Sequence, residues 1–177
     1  CCGALARELT SIIKINKMNF VEIECLPAKL HNHPHKIVPE IKKKILKARL
    51  RGEVDQIFVA YGDCGTGGQL DKLLDTEGIE RVYGDHCYEF YSGTTEFNTL
   101  ITEEIGTFFL TDYLTRFFEP LIIGGLGLDE NPDLRDMYFK NYKSDYSLFI
   151  GLSFVLLAYY LNHRYLQCCS SCSSTDK

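Results

Sequence analysis

The chain has 177 residues, of which 45% are hydrophobic, 12% aromatic and 24% charged, the composition of an ordinary folded domain rather than a disordered or fibrous one. At this length about two-thirds of the unfolded surface can be buried, so one core suffices and neither disulfide nor metal is needed merely to hold the fold. Nineteen Lys and Arg against 24 Asp and Glu give a net charge of -5, the wrong sign for neutralising a row of phosphates, which sets nucleic acid aside as a partner.

In chain order, residues 4–17 place Leu5, Leu9, Ile12 and Ile13 at helical spacing, and residues 19–26 read as a strand stopped by Pro27. Residues 37–50 carry Ile37, Ile41, Ile45 and Leu46 between lysines, an amphipathic helix whose basic run is a solvated face. Residues 54–61, with the continuous apolar run Ile57 to Ala60, read as a strand buried on both faces. A short helix over 69–76, a strand over 79–83, a helix over 94–104, a strand over 106–111, a helix from a cap at Asp112 to Phe118 and a helix over 132–142 after Asp129 or Asn131 follow.

That alternation predicts a single α/β domain with a mainly parallel open sheet of five or six strands and helices on both faces, Rossmann-like. The expected division is a body over 1–150 whose first strand is missing before Cys1, an apolar helix over 151–166 that completes it, and a disordered Cys/Ser tail over 167–177. The apolar run Leu148 to Leu161 is shorter than the roughly twenty residues of a membrane span and is expected to join the core. No secretory leader precedes the eight cysteines, so free thiols in a reducing cytoplasm are expected.

In such a sheet, ligands bind where strands end. Cys2, Cys64 and Cys87 each fall at a predicted strand exit, with His86 beside Cys87 and His31 after the second strand. Thiolate and imidazole are natural zinc ligands, and three protein ligands leave the open position of a catalytic metal. The sharp expectation is therefore one metal on Cys2, Cys64 and Cys87, with His86 or His31 as a fourth ligand and Asp63 or Glu89 as supporting or acid–base groups. Zinc is preferred because nothing in the sequence marks redox chemistry, although three cysteines could also hold an iron–sulfur cluster with one open iron.

The competing reading is that free Cys is a small hydrophobe, and Cys25, between Glu24 and Leu26 in a predicted strand, is expected to be that. His33 and His35 are expected to be solvated. Gly65, Thr66, Gly67 and Gly68 could cradle an anion at a helix start, but no Lys follows as in a Walker loop and the dinucleotide Gly spacing is absent. Tyr88, Phe90 and Tyr91 could line a pocket for a flat ligand. The alternatives kept beside the metal site are thus an anion-binding protein and a metal-free interaction module.

Read together, Cys2-Gly3-Ala4-Leu5-Ala6-Arg7-Glu8, Leu30-His31-Asn32, Asp63-Cys64-Gly65-Thr66-Gly67-Gly68, His86-Cys87-Tyr88-Glu89-Phe90, Gly106-Thr107-Phe108, Gly125-Leu126-Gly127-Leu128 and Leu134 to Phe139 resemble one bacterial and archaeal family, domain of unknown function 1638. The resemblance covers about residues 1–150 and fails after Ile150. What it implies is an association with corrinoid-dependent methyl transfer in one-carbon metabolism. A corrinoid cofactor, and a corrinoid protein or methyltransferase as partner, follow from the resemblance and not from the residues themselves.

Overall fold

A computed structural model of the chain describes residues 1–103, 109 and 111–141. Its helices are α1 (Ala6–Ile15), α2 (Ile37–Arg51), α3 (Gln69–Glu77), α4 (Glu89–Ser92), α5 (Thr94–Glu103), α6 (Asp112–Arg116) and α7 (Pro132–Asn141). Between them run two strands, β1 (Phe58–Val59) and β2 (Glu80–Arg81). The strand expected over 106–111, the apolar run 148–161 and the tail 167–177 lie outside the described residues.

The expected Rossmann-like, mainly parallel open sheet is not what forms. The molecule is mostly helical, and among the described residues β1 and β2 make a two-stranded parallel pair with Phe58 opposite Glu80 and Val59 opposite Arg81. Strand-like composition needs a neighbour to become a sheet, and here each pairing lasts one or two residues before the chain turns away. Beyond β1, Cys2 N–H donates to Ala60 O (3.2 Å), and Cys2 forms an isolated parallel bridge with Leu26. Residues 19–25 form no strand, and Phe20 and Cys25 are exposed, so the expectation of a buried Cys25 is also corrected.

The helices follow the apolar spacing closely. α1 buries Leu9 and Ile12 and is preceded by a tight turn, Gly3–Leu5, that buries Leu5. α2 buries Ile37, Ile41 and Ile45 at four-residue intervals while Leu46, one residue off that stripe, is largely exposed. α3 buries Leu70 and Leu74, and with β1 and β2 it makes a right-sized crossover between parallel strands. The caps of later helices are local: Thr111, not Asp112, accepts from Leu114 N–H (3.2 Å), and Asn131 accepts from Leu134 N–H (3.0 Å).

One core cluster joins these parts, and Cys2, Cys64 and Cys87 belong to it together with Val59, Ala60 and Tyr61. No described helix is long and apolar enough to cross a membrane.

Candidate metal centre

Two loops build the site. The chain leaves β1 through Tyr61, Gly62, Asp63 and Cys64, leaves β2 through Gly84, Asp85, His86 and Cys87, and the two exits are zipped by backbone bonds from Asp63 N–H to Gly84 O (2.9 Å) and Cys64 N–H to Asp85 O (2.8 Å). A Cβ on Gly62 would lie 2.9 Å from the His86 carbonyl carbon and 3.0 Å from Cys87 N, so only glycine lets the loops approach this closely.

Cys64 sits at φ +48°, in the left-handed region that non-glycine residues avoid, with Gly65, Gly67 and Gly68 also at positive φ. Such strain, of order 1–3 kcal/mol, persists where the surroundings over-determine it and clusters at functional positions. Asp63 supplies the determination: its carboxylate accepts from the Thr66 hydroxyl, Gly67 N–H (3.0 Å) and Gly68 N–H (2.9 Å), which holds the carboxyl below its usual range against the opposing effect of burial. Of the N–H groups read from the sequence as an anion cradle, those of Gly67 and Gly68 are committed to the Asp63 carboxylate and that of Thr66 to the Asp63 carbonyl. Glu89 is likewise committed, accepting from Asp85 N–H (2.8 Å) and the Thr94 hydroxyl (2.6 Å). Both carboxylates shape loops.

The zipped loops set Cys64 and Cys87 sulfurs 3.4 Å apart, with Cys64 2% and Cys87 7% exposed. The third thiol, Cys2, is 4% exposed and arrives from the first turn of the chain through its bond to Ala60. Its thiol interacts with Cys87, which, outweighing burial, pulls it down to about 7. Cys64 is drawn down to about 3, most by the hydrogen bond with Cys87 and then, against burial, by the imidazoles of His31 and His86. Cys87 is pushed up, first by Cys2, then by Cys64 and burial, and His86 is raised chiefly by its bond to Cys64. Negative charge is thus favoured on the Cys64 sulfur and the proton on Cys87.

His31 and His86 have ring centres 6.0 Å apart, and both pack on Tyr88. His33 and His35 are exposed and pack on each other. A cavity of about 40 Å³, mostly apolar, opens beside Cys2 and Cys87 and is bordered by His31, Tyr88 and Tyr91, while Phe90 is buried in the core.

Two further residues matter that the sequence reading passed over. Tyr61 is 1% exposed, and burial, ahead of the neighbouring Cys2, Cys87 and Cys64, pushes its hydroxyl up. Arg81 is buried in β2, grips Asp71 through Nε and Nη2 (3.0 Å), and donates through Nη1 to Val82 O (2.8 Å) and Gly84 O (3.2 Å), so it holds the second loop from beneath. An Arg inside an apolar strand, ten residues after an Asp on the preceding helix, was the signal available.

Two sulfurs on one tetrahedral zinc, each about 2.3 Å from it, stand about 3.8 Å apart. The Cys64 to Cys87 separation is within a few tenths of that, and the buried Nδ1 of His86 has no hydrogen-bond partner. The spacing of this one pair matches that of two sulfurs on a shared ion. Among the described residues, however, no three or more His, Cys, Asp or Glu side chains already surround one ligand point, so Cys2 and His86 would have to turn onto an ion.

No curated protein and no solved structure matches the chain. A family model does match, over residues 25–169, a span that includes His31, Cys64, His86 and Cys87, excludes Cys2, and runs past the point near residue 150 where the resemblance was expected to fail. The chain belongs to the family described as protein of unknown function (DUF1638).

Proposed function

We propose that this protein binds one transition-metal ion of the zinc class at the junction of its two strand exits, through Cys64, Cys87 and Cys2, with His86 as the fourth ligand. What supports the reading is the buried Cys64 and Cys87 pair with sulfurs 3.4 Å apart, the buried Cys2 thiol that acts on Cys87, and a neighbouring histidine, His86, whose buried Nδ1 is without a partner. Buried polar nitrogen is rarely left so. Thiolates gathered in one place repel one another, and a divalent cation offsets that charge.

Zinc suits such ligands because it is borderline-soft and takes both thiolate and imidazole, adopts a tetrahedron and asks for no electron transfer. His31, on the same sulfur and at the cavity, is the alternative fourth ligand. Affinity should rise with pH, because Cys87, whose thiol is pushed up, must lose its proton to bind.

The test is metal analysis of the full chain purified without oxygen. Stoichiometric zinc is expected, and Cys64→Ser should lower it at least about tenfold while far-ultraviolet circular dichroism is unchanged. Equal metal content in parent and variant sinks the proposal. Iron with acid-labile sulfide in place of zinc would replace the ion by a cluster.

A further inference from the structure

We propose that Cys64 and Cys87 are also a redox-active dithiol, oxidised by a small peroxide to a disulfide that dismantles the metal site. The dithiol chemistry rests on the geometry of the pair alone; its consequence for the metal rests on the function proposed above.

The sulfurs are 3.4 Å apart and must close to about 2.05 Å, a movement of little more than an ångström. The backbone is already clamped for it by the bonds of Asp63 and Cys64 to Gly84 and Asp85, and by the close approach at Gly62. The chain between the two cysteines folds as a compact crossover, so the pair is formed by the native fold.

Access selects the oxidant. The cavity beside the pair reaches Cys87 and Cys2 and measures about 40 Å³. That is room for a molecule of peroxide size beside the Cys87 sulfur. In the first step the Cys87 proton passes to Cys64 across their 3.4 Å contact, the Cys87 thiolate attacks one peroxide oxygen, the O–O bond breaks, and the other oxygen leaves with the electron pair and takes a proton to become water. Cys87 is then a sulfenic acid. In the second step the Cys64 sulfur attacks the Cys87 sulfur, the S–O bond breaks, and the departing hydroxide is protonated to a second water. Two thiols and one peroxide give one disulfide and two waters, with two electrons passing from sulfur to peroxide.

The disulfide leaves one thiol, Cys2, where the metal site needs three. The experiment uses the full chain, reduced and stripped of metal with a chelator, treated with equimolar hydrogen peroxide, alkylated and mapped by mass spectrometry. A peptide pair joining Cys64 to Cys87 with loss of two hydrogens is expected, at least about tenfold more abundant than any link from either residue to another cysteine. In Cys87→Ser the link vanishes and Cys64 accumulates oxygen instead; should that variant not fold, the parent's map decides. Cys64 and Cys87 both recovered alkylated while exposed Cys25 is oxidised would overturn the inference, as would a dominant link from Cys87 to Cys2. Repeating the treatment after loading with zinc separates the two readings. Slower oxidation with zinc release supports both, a disulfide in a chain that takes no zinc leaves the dithiol standing alone, and zinc binding without the disulfide leaves the metal site standing alone.

Discussion

Two pairs of cysteines in this molecule have the same separation. Cys1 and Cys25 sulfurs lie 3.4 Å apart, as do those of Cys64 and Cys87. The first pair is at an exposed edge, Cys25 in open chain beside a single bridge at Leu26. The second is buried between two zipped loops, with His31 and His86 on the Cys64 sulfur and a third thiol behind. Distance is therefore not what makes a site here. Burial, a strained backbone held by Asp63, and charges that favour a thiolate on one sulfur and a proton on the other are what distinguish the second pair.

The largest way to break that difference is from beneath. Arg81→Met keeps apolar bulk but removes the donors that hold the Val82 and Gly84 carbonyls and leaves Asp71 without its partner. Gly84 O keeps its bond from Asp63 N–H, so the loss falls on Val82 O and the Asp71 pair; a buried acceptor left unsatisfied costs about 1–3 kcal/mol, and a loss of about 2 kcal/mol in urea unfolding is expected, together with lost metal. Stability within about 0.5 kcal/mol of the parent would show that the second loop holds itself.

Gly62→Ala attacks the zipper directly. Its new methyl meets backbone on the opposite loop, which cannot yield as a flexible side chain would. Overpacking of this kind costs about 1–3 kcal/mol, and about 2 is expected here, with the two sulfurs displaced and metal content down several-fold. An unchanged metal content at equal stability would mean that the loops have slack.

The fate of these residues shows what was legible. Helical faces were, because apolar spacing at 3.6 residues carries its own partner pattern, as in Ile37, Ile41 and Ile45. So were Cys64 and Cys87 at the exits of neighbouring parallel strands, since strand ends read as an apolar run meeting Gly. The extent of the sheet was not: Phe20 to Glu24 alternates like a strand, yet pairing depends on a neighbour that sequence does not name, and only Leu26 finds one. The tasks of Asp63 and Glu89 were hidden for a related reason. A carboxylate near a thiol looks like acid–base machinery until its hydrogen bonds are traced to the turn that carries it.

The pH response sharpens the comparison without altering the fold. In metal-free protein the lowered Cys64 thiol is expected to give an ultraviolet thiolate absorbance that fades only as pH drops toward about 3. The sign for stability follows: a thiol held below its ordinary value of 9.0 stabilises the fold fully above that value, and the contribution drains as pH falls toward about 3. Because the hydrogen bond with Cys87 is the largest cause, Cys87→Ala should raise the midpoint more than His86→Ala does. The reverse order would make the histidine, not the second thiol, the holder of the charge.

The smallest expected effect is the control. Cys25→Ser replaces one exposed sulfur by oxygen at the edge pair, where the contact with Cys1 lies among exposed atoms and no histidine depends on it. Surface replacements away from caps, cores and ion networks shift stability by less than about 0.5 kcal/mol, and that is the expectation by urea unfolding. Metal content and thiolate absorbance should match the parent, because Cys25 contributes nothing to the strand exits that carry Cys64 and Cys87. A drop in either signal would mean that the edge pair and the buried pair share a ligand or a charge, and that three cysteines are too few to describe the site.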